Sequence, residues 1–459
     1  MTAPTGAPRR ARRLEPWFIP FALVNGAAVG LSPILLPLVA AGQGAGHVGL
    51  VMGAFNLGAF AAPVAGALAD RYRAYRAIAV ACAALSAVSL WLFPLASSSA
   101  QLLLALADGG GFAGAVTIAN LLIVERRPQS EWNQRLGWLE TVLSVGQGGA
   151  LVLAAWLTGL GPRSGLLIAA LVPAAAIPLA LVLIPRGPRA AAAGPACRAD
   201  GPASGAPGPP QAVPAAGEQR TARATHRLAD VGRVGEWGPA SPSRVHHLHQ
   251  RRRPLAGLRR SAGLVRGRFG WLLAAWIPAY AGSAIVFSLY PVLFQHAFGV
   301  APRTSALAFA IIVFVSLPIF ALAGRISQRR GPAAALAGAL GARVILLGVL
   351  AALAAAGQVP VVLPLAAFSG VLFAWSFLSV ASPGLTGLLV PQAEGEAQGI
   401  LAASSGAAGF AGSVAGGLAA AHWGYPAALG IGAGATAAGL IIFSTTMLRP
   451  ARQPRRLAG

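Results

Sequence analysis

The sequence predicts an all-α membrane protein: twelve transmembrane helices in two six-helix bundles, with the N- and C-termini cytoplasmic. Three observations carry that reading. Twelve apolar runs punctuate the chain, 32 of its 35 basic residues fall on one side of the zigzag those runs define, and one long polar segment separates the first six runs from the last six. The runs lie near 17–40, 48–69, 77–96, 101–124, 136–159, 164–184, 270–294, 304–323, 333–356, 361–389, 398–420 and 426–447. At about 1.5 Å of rise per residue, each suits a hydrocarbon core of about 30 Å.

The arginines set the orientation. On one side the N-terminal tail gives four (Arg9, Arg10, Arg12, Arg13), the loop after the second run three (Arg71, Arg73, Arg76) and the loop after the fourth run three (Arg126, Arg127, Arg135). The central segment adds fifteen, the loop after the eighth run three (Arg325, Arg329, Arg330) and the C-terminal tail four (Arg449, Arg452, Arg455, Arg456). The opposite face holds only Arg163 and Arg303, while Arg343 lies within a run. Translocating positive charge is opposed, so the arginine-bearing side is the cytoplasmic one.

Composition excludes other classes. The chain is 56% hydrophobic and 10% charged, with mean hydropathy +0.66, against roughly 25% charged for soluble domains. A net charge of +23 would suggest nucleic-acid binding in a soluble protein. Here the charge sits in juxtamembrane loops, so anionic lipid headgroups of the bilayer are the expected partner, and no nucleic acid is. The first run is too long and uninterrupted for a cleaved signal peptide. Cys82 in the third run and Cys197 in the central segment give no disulfide framework. Every basic residue is arginine, the coding bias of a GC-rich genome, which points to a bacterial cell membrane.

The chain therefore divides into a cytoplasmic tail (1–15), an N-terminal bundle (16–185), an Arg/Pro-rich cytoplasmic linker (186–268), a C-terminal bundle (269–448) and a second tail (449–459). The linker carries ten prolines and four acids but no Ile, Phe, Met or Tyr. Such a segment buries too little apolar surface to offset its ordering entropy, and disorder is expected. His246, His247 and His249 lack cysteine or carboxylate support, so no metal is expected there.

The halves read as repeats. Gly66 to Arg71 closes the second run as Gly324 to Arg329 closes the eighth, and Gln134 to Gly137 opens the fifth as Ala397 to Gly399 opens the eleventh. Parallel six-helix repeats place a binding site near the bilayer midplane, between the halves.

On these residues the chain resembles the major facilitator superfamily of secondary transporters, and within it the bacterial drug-efflux-type members. The family's loop after the second helix reads Gly-x-Leu-Ala-Asp-Arg-x-Gly-Arg-Arg. Gly66, Leu68, Ala69, Asp70 and Arg71 match it, Arg73 stands where the later glycine belongs, and Arg76 is displaced from the basic pair. The second copy keeps Gly324, Arg325, Arg329 and Gly331, with Gln328 in place of the acid. The resemblance implies that Asp70 meets the start of the eleventh helix near Ala397 and latches the cytoplasmic side, since a carboxylate is favoured at a helix N-terminus. Arg71 or Arg76 can then pair with Glu125. The resemblance also implies a monomer. Glycines 146, 148, 149 and 159 of the fifth run lack the proline of the family's antiporter motif, and glycines 406, 409, 412, 416 and 417 of the eleventh are explained by close helix packing.

Ionisable residues inside spans cost about 2.5–3.5 kcal/mol at the centre, so each invites a functional reading. Asp108, some 10 Å into the fourth run by helical rise and followed by Gly109, Gly110 and Gly111, is the first candidate to carry a proton. Glu140 is a second proton candidate, or else a surface acid or a partner of Arg135. Arg343 lies in the ninth helix, which the resemblance places on the flank of the bundle, and a contact to carbonyls or lipid headgroups is expected. Asn25, Asn56, Asn120, Gln147, Tyr280, Tyr290 and Trp375 form the pool of substrate-lining candidates, and Pro278, Pro291 and Pro383 mark bends.

The expected function is secondary transport of a small organic molecule by alternating access, with protons as coupling ion. Few charges and several aromatics favour proton-antiport efflux of lipophilic compounds or drugs. The alternative is proton-coupled uptake of a nutrient or metabolite, and a less favoured one is a non-transporting sensor or scaffold. No Gly-x-Gly-Asp or His-Glu-x-x-His signature suggests an enzyme, and no cofactor is expected.

Overall fold

A computed structural model of the chain describes residues 15–127, 132–185, 263–391 and 394–448. The expectations for the two tails and for the linker, including its disorder, Cys197 and the three histidines, lie outside the described residues.

The first ten apolar runs are α1 (Phe18–Gln43), α2 (Ala45–Ala69), α3 (Tyr75–Leu95), α4 (Ser98–Arg126), α5 (Arg135–Leu160), α6 (Pro162–Leu183), α7 (Arg268–Phe298), α8 (Pro302–Arg330), α9 (Pro332–Ala356) and α10 (Val362–Leu389). The last two runs follow one another within Glu394–Met447 and are separated at Gly424, whose φ of 83° and ψ of 171° no helix holds. We call them α11 (394–423) and α12 (425–447). This is an all-α, multi-spanning membrane protein, because helices satisfy their backbone N–H and C=O groups internally where lipid offers no partner.

Two local departures from regular helix stand out. In α1, Ala27–Leu31 forms a π turn just before Ser32 and Pro33. Such a turn widens the helix by one residue and precedes a proline that has no N–H to give. After α2 the helix runs on to Tyr72, and Arg73 ends it in the left-handed region at φ 50° and ψ 30°. This is the position where the family's loop has glycine, and an L side chain there costs about 1–2 kcal/mol.

Helices of residues 18–183 pack chiefly on one another (α3 on α4, α1 on α5, α3 on α6), and those of 268–447 do likewise (α7 on Glu394–Met447, α9 on α10, α8 on α10). Helices α1, α4, α7 and α10, at matching places in the two halves, are the most enclosed. The other helices present Val64, Trp91, Trp156, Val182, Ile311 and Ile345 outward. In water such a surface would aggregate, whereas lipid tails cover it at no cost.

The apolar interior is split in three. One core joins the halves: Leu31, Ile34, Leu35, Val48 and Leu151 pack with Ile285, Leu289, Phe294, Val313 and Phe368. All of these lie toward the end of the bundle away from Arg71, Arg126, Arg135 and Arg325. At the arginine-bearing end each half has a core of its own. Phe18, Phe21, Tyr75, Ile123, Leu139 and Ile184 form one, and Phe269, Leu336, Leu378, Leu385, Ala397 and Leu401 form the other. The halves are thus fused at one end and parted at the other.

Candidate functional site

Between the halves, next to the shared core, lies a cavity of about 130 Å³. The π turn contributes Ala28 and Val29, α2 contributes Met52, Phe55 and Asn56, and α4 contributes Gly109 and Phe112. From the second half come Tyr280, Ser283, Phe287 and Ser288 of α7, Phe309 of α8, Trp375 of α10 and Ser405 of α11. A narrower space of about 40 Å³ runs between α1, α5, α8 and α10, bordered by Asn25, Glu140, Ser144, Gln147, Phe320 and Trp375. Trp375 faces both. The wall is mostly aromatic and aliphatic with a few convergent polar groups, the usual make-up of a small-molecule site.

Backbone contact shuts the cavity on the side away from the arginines. Gly49 of α2 lies against the backbone of Ser413 and Gly417 of α11, where no Cβ fits, and Gly53 packs on Phe410 and Val414. Gly412 and Gly416 meet Ala281 and Ile285 of α7, and Gly409 meets Asn56, so close packing accounts for the glycine row of α11. Gly26 and Gly146 bring α1 onto α5, and Gly148 receives Phe314 of α8. Gly149 and Gly159 meet nothing within 4 Å. A polar bond crosses the same seam, Asn56 Nδ2 donating to Ser413 Oγ at 3.1 Å, and Ser413 in turn bonds Ser288 of α7 within the second half.

Of the residues expected to line the site, Asn56, Tyr280 and Trp375 border the large cavity, and Asn25, Glu140 and Gln147 border the narrow one. Tyr280 sits between Trp276 and Trp375, with ring centroids 5.8 and 5.7 Å away, and Trp276 Nε1 donates to Ser405 Oγ at 2.8 Å. Asn25 and Gln147 also tie α1 to α5, donating to the carbonyls of Leu143 (2.9 Å) and Val29 (3.3 Å). Two candidates are elsewhere. Tyr290 is fully buried in the shared core, stacked on Phe368 at 4.2 Å and donating to the Ser305 carbonyl at 2.9 Å. Asn120 is enclosed within the first half and borders neither space. In this structure neither lines the two spaces: the tyrosine belongs to the joint core, and the asparagine is buried in the first half.

Asp108 is 1% exposed near the middle of α4. It does not line the cavity itself, since Gly109 does, and its carboxylate turns instead toward two hydroxyls of neighbouring helices. Ser32 of α1 donates to Oδ2 at 2.8 Å, and Ser86 of α3 donates to Oδ1. The carboxylate therefore bridges three helices immediately behind the cavity wall.

At the arginine-bearing end, Arg71, Arg325 and Arg329 are exposed, Arg76 and Gly66 are half-buried and Gly324 is buried. The Asp70 side chain lies outside the described residues. Ala397, its expected contact, belongs to the apolar core of the second half. Glu125 accepts a hydrogen bond from Tyr75, and among the described residues no ion pair joins it to Arg71 or Arg76. Arg135 pairs with Glu15 at 3.1 Å, and so does Arg127 at 2.8 Å. Sequence reasoning missed Glu15 because it had been assigned to a free tail.

The largest surprise is Arg343. Its helix is among the least enclosed, as a flank position implies, but the contact expected to carbonyls or lipid headgroups is corrected, for the side chain is 1% exposed and points into the second half. Nη1 donates to Ser283 Oγ at 2.5 Å, and Cζ lies 5.7 Å from the Phe287 ring centroid and 5.2 Å from that of Trp375. All three contacts are cavity-wall residues. A charge in the middle of an apolar run was the available signal. Among the described residues no group of three or more His, Cys, Asp or Glu side chains is placed to hold a metal ion.

Comparison with known proteins agrees with this architecture. The chain matches the family model for the Major Facilitator Superfamily over residues 18–382 and 272–459. Among solved structures it is similar to the nucleoside transporter NupG in its D323A form, with TM-score 0.69 and 14% identity, covering 94% of this chain and 99% of that one. It is also similar to a D-xylose-proton symporter, with TM-score 0.63 and 14% identity, covering 94% and 96%. No curated protein matches the chain. The expected kinship with drug-efflux-type members is overturned, since these solved structures are a nucleoside transporter and a sugar symporter. By its family match and its fold, the chain belongs to the major facilitator superfamily, as a multi-pass membrane transporter of small molecules rather than an enzyme.

Proposed function

We propose that this transporter takes up a small organic nutrient or metabolite together with protons, by alternating access. Its twelve helices form two six-helix bundles, 16–185 and 269–448, with tails 1–15 and 449–459 and linker 186–268 on the cytoplasmic side and anionic headgroups holding the arginines. The protein works as a monomer. One observation carries the reading: the halves share a core at the arginine-poor end and keep separate cores at the other. With positive charge held inside, this is the inward-facing arrangement of a rocking carrier. Likeness to a D-xylose-proton symporter supports uptake as the direction.

In this scheme Asn56, Tyr280 and Trp375 hold substrate, with Asn25, Gln147 and Glu140 along the exit. Asp108 is the coupling carboxyl. A proton there turns one acceptor into a donor, so Ser32 or Ser86 must reorient, and α1, α3 and α4 all register the change. Gly66, Asp70, Arg71 and Arg76 with Gly324, Arg325 and Arg329 form the latch that closes when the arginine-bearing ends meet, and Glu125 anchors α4 beside it through Tyr75.

The test is accumulation in proteoliposomes with an imposed pH gradient, using labelled nucleosides, pentoses and carboxylates. Acid on the periplasmic face is expected to drive accumulation of at least one solute. Accumulation driven only by the reverse gradient, or indifference to both, refutes the proposal.

A further inference from the structure

We infer that Arg343 recognises an anionic group on the transported molecule, so that the substrate is a small organic monocarboxylate with an apolar or aromatic body. This rests on the transport reading above and narrows it. A guanidinium carries five N–H donors. Arg343 spends Nη1 on Ser283, while Nε and Nη2 have no hydrogen-bond partner among the described residues although the side chain is 1% exposed. The faces of Phe287 and Trp375 attract the cation but give its N–H groups no acceptor.

The second half cannot neutralise this charge. From Arg268 to Ala393 the sequence contains no Asp or Glu, and its only acids, Glu394 and Glu396, open α11 at the arginine-bearing end. Across the cavity, the Asp108 carboxylate is held by Ser32 and Ser86 within the first half. A buried charge is retained where something pairs with it, and no carboxylate of the second half between Arg268 and Ala393 supplies the counter-charge that a bound anion would bring.

The cavity is where it would arrive. Ser283, Phe287 and Trp375, the three side chains touching the guanidinium, all face that space. An anion seated at Ser283 reaches Arg343 once the serine hydroxyl turns aside, and the planar fork suits a carboxylate. One arginine matches one negative charge. Phe55, Phe112 and Tyr280 leave the remainder of the wall suited to an apolar or aromatic body rather than a polyol.

The experiment compares 3-phenylpropanoate with its neutral amide, by calorimetry and thermal shift on the purified full chain. The wild type is expected to bind the carboxylate at least tenfold more tightly, Arg343→Gln to lose that ratio and Arg343→Lys to keep part of it. A structural role for the arginine would weaken both probes alike and leave the ratio intact. Should Arg343→Gln fail to fold, the wild-type ratio and Ser283→Ala, expected to shift the ratio while Arg343 stays in place, decide the matter. A wild type that binds the carboxylate no better than the amide, whether both bind or neither does, overturns the inference, as does an unchanged ratio in Arg343→Gln. Transport is scored separately, by exchange of labelled uridine, xylose and phenylpropanoate in proteoliposomes. Exchange without carboxylate preference sinks the anion site alone, and preference without any exchange sinks the transport reading alone.

Discussion

Replacing Gly49 by alanine tests whether the α2–α11 seam is a gate. A Cβ at Gly49 would meet the Ser413 carbonyl and lie 2.7 Å from Gly417 Cα and 3.0 Å from its nitrogen. Ordinary carbon contacts lie near 3.5–4.0 Å, so the helices must part by roughly 1 Å. Overpacking of that kind costs about 1–3 kcal/mol. Only the state in which the seam is shut bears the cost, so the balance moves toward the state open on the arginine-poor side by about 5–150-fold. The assay is labelling of Ser405→Cys, on the cavity wall, by a membrane-impermeant maleimide added to right-side-out vesicles, in a background lacking Cys82 and Cys197. Gly49→Ala should raise the labelling rate by at least fivefold. A lowered melting temperature with unchanged labelling would refute the reasoning, because the glycine contact would then be packing shared by every state.

Three further outcomes are expected. Asp108→Asn retains groups able to bond Ser32 and Ser86, so the protein should fold and exchange substrate at equilibrium while losing pH-driven accumulation; undiminished accumulation removes Asp108 from coupling. Arg73→Gly relieves a left-handed backbone and should stabilise by about 1 kcal/mol in denaturant titration, and a loss of stability would show that the arginine side chain outweighs its backbone. Tyr290→Phe should cost about 0.5–1.5 kcal/mol through the lost bond to the Ser305 carbonyl, with transport KM unchanged; an altered KM would return this tyrosine to the binding wall.

The spans were legible because the bilayer imposes a length and a polarity on every crossing, and those requirements are written locally. Thus the break between the last two runs, expected between 420 and 426, falls at Gly424. What each side chain touches was far less legible. A helix that is apolar all round carries no moment to say which face is inward, so Tyr290 and Tyr280, ten residues apart on α7, looked alike, yet one joins the shared core and the other borders the cavity. Asp108 was found by its depth in the run, but its partners on α1 and α3 depend on the register of three packed helices, which no local pattern encodes. Arg343 was visible as a charge, but a flanking helix still has an inner face, and nothing local says that the side chain takes it. Glu15, in a segment without apolar character, gave no sign that Arg127 and Arg135 would hold it.

The threefold division of the interior also constrains the transport cycle energetically. Opening the arginine-poor end means wetting surfaces such as Leu31, Ile34, Leu289 and Phe294, at about 25 cal/mol for each Å² exposed. Nothing else at that end can offset this, so the loss has to be balanced by joining the two cores that now stand apart around Tyr75 and Phe269. In the proposed cycle the carrier is then a balance beam with a nearly constant load: hydrophobic area moves from one end to the other, and a small bias from a bound ligand is expected to tip it.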